Sequence, residues 1–465
     1  MPPYTSAASV AALASAAAIA SVRETGIHFS PDGADGAEAA GATGATGSAD
    51  ASGPAGLGQA VDRLLTGLGR PPLLLGLGEP THGVEDFPEL RNGMLNHLVR
   101  HHGFRSVALE SDTLAAAVVD DYITTGAGDL DEVMATGFSH GWGGSPANRE
   151  LVVQLRDHNA GRPPPAWVRF HGIDAPTEIT GAPGPGSSLA AAHAYLAAQL
   201  PPGRVPHDPS DLDRLLGEES AWADPAAMRD PSRSIGATPE ARALRVVADD
   251  LLALHESEAP ALRRATSDLA FERAYAQART ARGLLRYHAA MASPSADRVS
   301  VLLGLRDVMM AENLLAVAAA EARRGPCLVF AHNAHLQRHR SRWGAAEPAL
   351  GWWSAGALIS ASAIGDRYVF VAGDFAEGPE PGISADGPGT PPDAPTAAPA
   401  LRDVLARATP ERAFYPAPAL TPALANLPGL CAHPDPARPG YSPFDPAGVP
   451  ETDALLFLNL TGSSD

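Results

Sequence analysis

The chain contains no lysine; all 34 of its basic side chains are arginine. Schiff-base chemistry and a Walker-type phosphate loop both need a lysine amine, so both are excluded. Only two cysteines are present, Cys327 and Cys431. That is too few for a disulfide framework or a cysteine-rich zinc site. Cys327 lies in an apolar run and is expected to be a small core residue. No apolar run reaches the roughly 18 residues that a membrane span requires. Positive charge is also scarce, with 34 Arg against 53 Asp and Glu and a formal net charge of -19. Nucleic acid and anionic membrane surfaces are therefore not expected as partners. A neutral or cationic small molecule suits this charge better.

What is present is an ordinary globular composition, 45% hydrophobic over 465 residues. Such a length accommodates one large α/β domain with an insertion, or two to three smaller domains. The Ala-rich run at 7–20 resembles a signal h-region, but Met1-Pro2-Pro3-Tyr4 supplies no basic n-region before it. It reads as a helix or frayed arm, and the protein is expected to be cytoplasmic. Residues 30–56 are Gly, Ala, Ser and Asp with almost no large apolar side chains, so 1–56 is expected to be a flexible extension. Order is expected from Leu57.

Beyond that point strands and helices alternate. Strands are predicted at 73–77, 106–109, 167–170, 328–331, 368–372 and 455–459, and helices at 86–101, 114–123 and 148–159. The alternation implies an α/β fold with a largely parallel central sheet flanked by helices. The intervening residues read as helical as far as Ala322, broken by proline clusters. The expected division is a catalytic core at 57–188 and 301–465 with an inserted helical cap at 189–300. The Pro/Gly-rich stretch 378–399 reads as a long loop or lid.

Two apolar runs end in chemistry. LLLGLGEPTHG stops at Glu79 and His82, and CLVFAHNAH stops at His332 and His335. Ligands of open α/β sheets bind at the carboxyl ends of strands, so these ends are candidates for one acid–base centre. An imidazole beside a carboxylate has the intrinsic pKa for proton transfer near neutrality. The plainer reading of Glu79 and His82 is a helix start with a local cap and a solvated ring. Glu110 and Asp112 end another predicted strand; they are either water-facing acids or partners for that imidazole. Arg91 is either a surface side chain or one turned back toward the strand end. In isolation H-x-x-H is also half of a metal site, which leaves open a metallohydrolase using His82, His332, His335 and Glu110. Gly137-Phe138-Ser139-His140-Gly141 matches G-x-S-x-G, but a nucleophile elbow needs a strand before the serine. Residues 129–136 read instead as a short helix, which argues against Ser139 as a nucleophile.

The motifs GEPTHG (78–83), ELR (89–91), ALESD (108–112), GID (172–174), RDVMMAEN (306–313) and AHNAH (331–335) resemble those of the erythromycin esterase family. No one of them is specific; six in register are. The resemblance implies a hydrolase of macrolactone esters that needs neither metal nor cofactor. It casts His82 as the base on water and Glu79 and Glu110 as the groups positioning base and water. Arg91, His332 and His335 complete the polar centre and stabilise the oxyanion. Arg306, Asp174 and His171 are expected to contribute to substrate binding. A biosynthetic tailoring enzyme using the same His/Glu centre for cyclisation or elimination is the alternative. A non-enzymatic binding protein on the same fold is a further one.

Overall fold

The computed structural model describes residues 7–31, 33, 55–178, 181–343, 350–377, 400–427, 429–432 and 440–461. The loop 378–399 and most of the linker 30–56 lie outside the described residues. Among those described, the strands are β1 (Ile27–Phe29), β2 (Leu74–Glu79), β3 (Ser106–Asp112), β4 (Arg169–Asp174), β5 (Cys327–His332), β6 (Arg340–Trp343), β7 (Leu350–Trp353), β8 (Tyr368–Glu377), β9 (Arg412–Pro416) and β10 (Ala454–Leu460). Eight of them form one sheet in the order β1-β9-β10-β8-β2-β5-β3-β4; β6 and β7 form a separate antiparallel ribbon. β2, β8 and β10 run parallel, as do β3 and β4. The fold is mixed α/β with a mostly parallel sheet flanked by helices, as the strand and helix alternation implies. β2 and β5 are buried at every position, which is why they read as unbroken apolar runs.

The chain divides into two compact units. The first comprises 1–102, 330–339 and 366–465. It holds β2, β8 and β10, and its outer strands correct one expectation. The Ala-rich run lies in helix α1 (Ala7–Glu24), and residues beyond it that were expected to be flexible form strand β1, which pairs antiparallel with β9. Ile27 and Phe29 point inward on either side of His28, and Phe29 stacks on Phe414 at 5.2 Å between ring centroids. Three residues with period-two burial are enough for an edge strand when a partner strand is waiting. In the same unit, α2 (Leu57–Gly67) and α3 (Asp86–His101) flank β2 in the chain. α3 buries Phe87, Leu90, Arg91, Met94 and Leu98, one face at helical spacing. It ends where Gly103 takes a φ of 70°, a left-handed stop that glycine tolerates without strain.

The second unit comprises 103–329 and 340–365 and holds β3, β4 and the long helices. The helices within 189–300, expected as a separate cap, belong to this unit. Pro239–Ala265 and Asp268–Met291 share a core that includes Leu244, Leu251, Phe271 and Leu285. Ser267 separates them, its hydroxyl accepting the Ala270 N–H at 3.1 Å. Cys327 is buried, and burial pushes its thiol pKa up, as suits an inert core residue.

Candidate active site

In the first unit β2 delivers Glu79 and then turns sharply through Pro80, Thr81 and His82. Gly83 follows at a φ of 83°, a conformation that side-chain-bearing residues avoid, and leads into α3. His82 Nδ1 donates to Glu79 Oε1 at 2.7 Å. A carboxylate only accepts, so the proton in this bond comes from Nδ1. Glu79 is buried while the His82 side chain is 41% exposed, so the carboxylate is held by the protein and the imidazole reaches solvent. That is the arrangement of a base oriented by an acid.

β5 ends beside it. The rings of His82 and His332 lie 5.2 Å apart between centroids, so the two distant apolar runs do end together. His332 is committed differently. Its Nδ1 accepts the Ala334 N–H at 3.1 Å, so Nε2 carries the proton and donates to Pro80 O at 3.0 Å. Both ring nitrogens therefore bond to the backbone, and this histidine braces the turn that carries His82. Pro80 O also accepts the Ser442 N–H at 2.8 Å. His335 is buried, its ring 6.5 Å from that of His332. Arg91 is only 1% exposed, which decides against the surface reading. Its guanidinium donates to Asn92 Oδ1 and lies 5.0 Å from the centroid of the Phe330 ring, a cation–π contact.

Two features of this unit were not anticipated. Asn333 exchanges hydrogen bonds with the Gly373 backbone, accepting at 3.0 Å and donating at 2.7 Å. A Cβ on Gly78 would meet Asn333 Oδ1 at 2.1 Å, and one on Gly373 would meet Gly78 O at 2.2 Å. The second glycine of LGLGEPTHG is thus required by close packing where the strands end. Asp374, fully buried on β8, accepts from Tyr441 OH at 2.8 Å. Burial pushes its carboxyl up to about 6, even against the hydrogen bonds from Tyr441 and the Phe375 N–H. The only sequence signal for it was an acid interrupting the apolar strand YVFVAGDF.

The second unit holds a different cluster. Arg306, on helix Arg298–Glu321, donates to Asp174 at 2.9 Å through Nε and to Glu110 Oε1 at 3.0 Å through Nη2. Asp174 has no exposed surface. Burial alone would raise its pKa, but the Arg306 charge and the His140 and Arg306 hydrogen bonds hold it below the usual range. Burial likewise opposes the Arg306 charge, and Asp174 and Glu110 keep that guanidinium firmly protonated. His140 bonds Asp174 Oδ2 through Nε2 at 2.8 Å and Glu178 Oε2 through Nδ1 at 2.9 Å. Burial pushes its ring down, yet the two carboxylates outweigh this and lift it to about 9, so it is an imidazolium at neutral pH. Its backbone sits at a φ of 55°, strained for a residue with a side chain.

In the sequence the G-x-S-x-G match marks Ser139 and leaves its neighbour His140 without a signal of its own. The Ser139 hydroxyl accepts the Asp112 N–H at 2.9 Å, and Ser111 Oγ accepts the Ser139 N–H at 2.9 Å. Ser139 follows helix Leu130–Thr136 rather than a strand, so no nucleophile elbow forms. His171 departs from its expected place with Asp174. Its Nε2 bonds Glu321 Oε1 at 3.2 Å. Glu321 lies fifteen residues beyond Arg306 on one helix, about 22 Å at 1.5 Å per residue, so His171 serves the opposite end of that helix.

Comparison with known proteins agrees with this architecture. A crystal structure of a Bacillus cereus protein is 17% identical, with 98% of each chain covered and a TM-score of 0.64. A succinoglycan biosynthesis protein is 14% identical, with 96% of this chain and 97% of that one covered and a TM-score of 0.63. A mutant of erythromycin esterase EreC in its open conformation is 18% identical, with 88% and 97% covered and a TM-score of 0.59. At these identities the likeness concerns the fold. No curated protein matches the sequence. The sequence model of erythromycin esterase matches residues 99–433, which include Glu110, Asp174, Arg306, His332 and His335 and leave Glu79, His82 and Arg91 outside. With most of its length matched, the chain belongs to the erythromycin esterase family, which indicates a hydrolase.

Proposed function

We propose that this hydrolase opens a macrolactone or another bulky natural-product ester, with water activated by His82 Nε2. The observation that carries the reading is the 2.7 Å bond from His82 Nδ1 to the buried Glu79 carboxylate. It supports the reading because it orients the ring, and in the proposed reaction the carboxylate stabilises the imidazolium formed when water loses its proton. The base then returns that proton to the leaving alkoxide. No covalent intermediate is required, which accords with Ser139 and Cys327 being occupied elsewhere.

The other roles are assigned with one amendment. His332 positions the His82 turn, since both of its nitrogens bond backbone groups. Arg91 and His335 are assigned to the developing oxyanion. The reaction is proposed to be metal-independent, because His332 has no nitrogen to offer an ion. A cationic amino-sugar macrolide suits the chain's net charge of -19.

Mass spectrometry of a macrolide and ester panel, incubated with wild-type and His82→Ala protein, tests the reading. The expected product of the wild type is heavier than its substrate by one water, and the variant yields none. A product of unchanged or lower mass would replace hydrolysis with cyclisation or elimination, and undiminished turnover by His82→Ala would remove the centre altogether. Full activity after exhaustive chelation is expected; its loss would refute metal independence.

A further inference from the structure

The first unit carries a second convergence of imidazole and carboxylate, on α2 and α3 and apart from the strand ends. His97 Nε2 and His102 Nε2 approach the same oxygen, Asp62 Oδ1, at 2.7 and 2.6 Å. Asp62 belongs to α2, His97 to the last turns of α3, and His102 caps the end of α3. The histidines stand five positions apart, a spacing that one helical face does not align. They meet because the backbone leaves helical geometry at His102, with a φ of -119° and ψ of 8°. A third ring, His101, lies 4.6 Å from His97.

We propose that Asp62, His97 and His102 bind a divalent transition-metal ion of the zinc class and so clip α2 to α3. Three lines of observation support the site. One ligand atom from each residue lies within 4.8 Å of the others, and no other such group of three occurs among the described residues. Two imidazoles and one carboxylate are the donor set that zinc, nickel and cobalt accept, with water completing the shell. The C-terminal end of a helix also favours positive charge, and α3 presents its last carbonyls there. In a tetrahedral site with bonds of about 2.0–2.1 Å the ligand atoms stand about 3.4 Å apart. The present Nε2–Oδ1 separations of 2.7 and 2.6 Å are shorter than that, so the three side chains must rotate apart to admit an ion. His97 and His102 are 14% and 28% exposed and Asp62 is 51% exposed, so the site opens to solvent at the carboxylate. The ion is a structural clip, separate from the His82 chemistry.

Calorimetric titration of tag-free, metal-stripped protein with Zn²⁺, paired with the visible spectrum of the Co²⁺ form, tests the proposal. One ion per chain is expected. Asp62→Ala, His97→Ala and His102→Ala should each weaken it by at least about tenfold, while His82→Ala leaves it unchanged. Zn²⁺ should raise the Tm of the wild type and not that of Asp62→Ala. Absence of stoichiometric binding would overturn the site. So would binding that survives both Asp62→Ala and His97→Ala, or binding that His82→Ala abolishes. Asp62 is half exposed, so its variant keeps the test decisive even if a histidine variant folds poorly.

Discussion

The two units carry polar clusters of opposite character. Around His82, one hydrogen bond ties Nδ1 to a buried carboxylate, and the side chain is 41% exposed. Around Arg306, the members are charged and paired: a guanidinium between Asp174 and Glu110, and an imidazolium between the same Asp174 and Glu178. In the proposed reaction the first arrangement changes a proton position. The second spends its charges on one another. A cluster of histidines and acids is thus not a functional signature by itself; what separates a base from a structural ion pair is which protonation state its neighbours enforce.

Substitutions should expose this contrast. His82→Ala is expected to cut kcat/KM on the ester substrate by about 10³ or more, with Tm nearly unchanged, since the side chain is half-exposed. Glu79→Gln should lose about 10²–10⁴ in kcat by releasing the tautomer. Equal losses of activity and stability in both variants would make the dyad structural. Arg306→Met should instead act on folding. It removes the guanidinium shared by Asp174 and Glu110 and leaves Asp174 with the His140 imidazolium, a loss of about 3–5 kcal/mol in denaturant-unfolding stability.

Dependence on pH sharpens the comparison further. His140 has a folded pKa of about 9, raised above its ordinary 6.5. Its contribution to stability is fully present below about 6.5 and is lost as pH rises through about 9. His140→Gln should flatten the Tm–pH curve over that window. Asp374 behaves in a lower window, because its carboxyl is raised from 3.8 to about 6. The native state holds the extra proton between those values, so stability falls as pH climbs through them and the full cost applies above about 6. Asn keeps the oxygen that accepts from Tyr441, so Asp374→Asn should raise Tm at pH above 6 and leave it unchanged near pH 4. An identical Tm gain at both pH values would show that ionisation is not the cause. The smallest effect is expected for Ser139→Ala, which strands the Asp112 N–H at a cost of about 1–3 kcal/mol while ester hydrolysis persists. Abolished hydrolysis by a folded Ser139→Ala protein would revive the nucleophile elbow.

Much of the frame was readable before any coordinates. Helix α3 matches its predicted span of 86–101, since its apolar face repeats at helical spacing and a glycine stops it. β2 and β5 were legible as apolar runs because both faces are covered. The strands β1 and β9 were not, at three and five residues with a histidine or a proline inside. Such short edges have no pattern of their own and form only when a partner offers its backbone.

The residue types and their order along the chain determined that an acid–imidazole pair would follow a buried strand, because Glu79 and His82 are near neighbours and a local turn suffices to join them. Everything that depends on distant partners was decided by folding. Arg91 became buried, His332 became a brace, His171 went to Glu321, and His140 acquired its charge from an aspartate 34 residues away. The physical reason is that protonation state and hydrogen-bond role are properties of an environment, and only the tertiary structure assembles one.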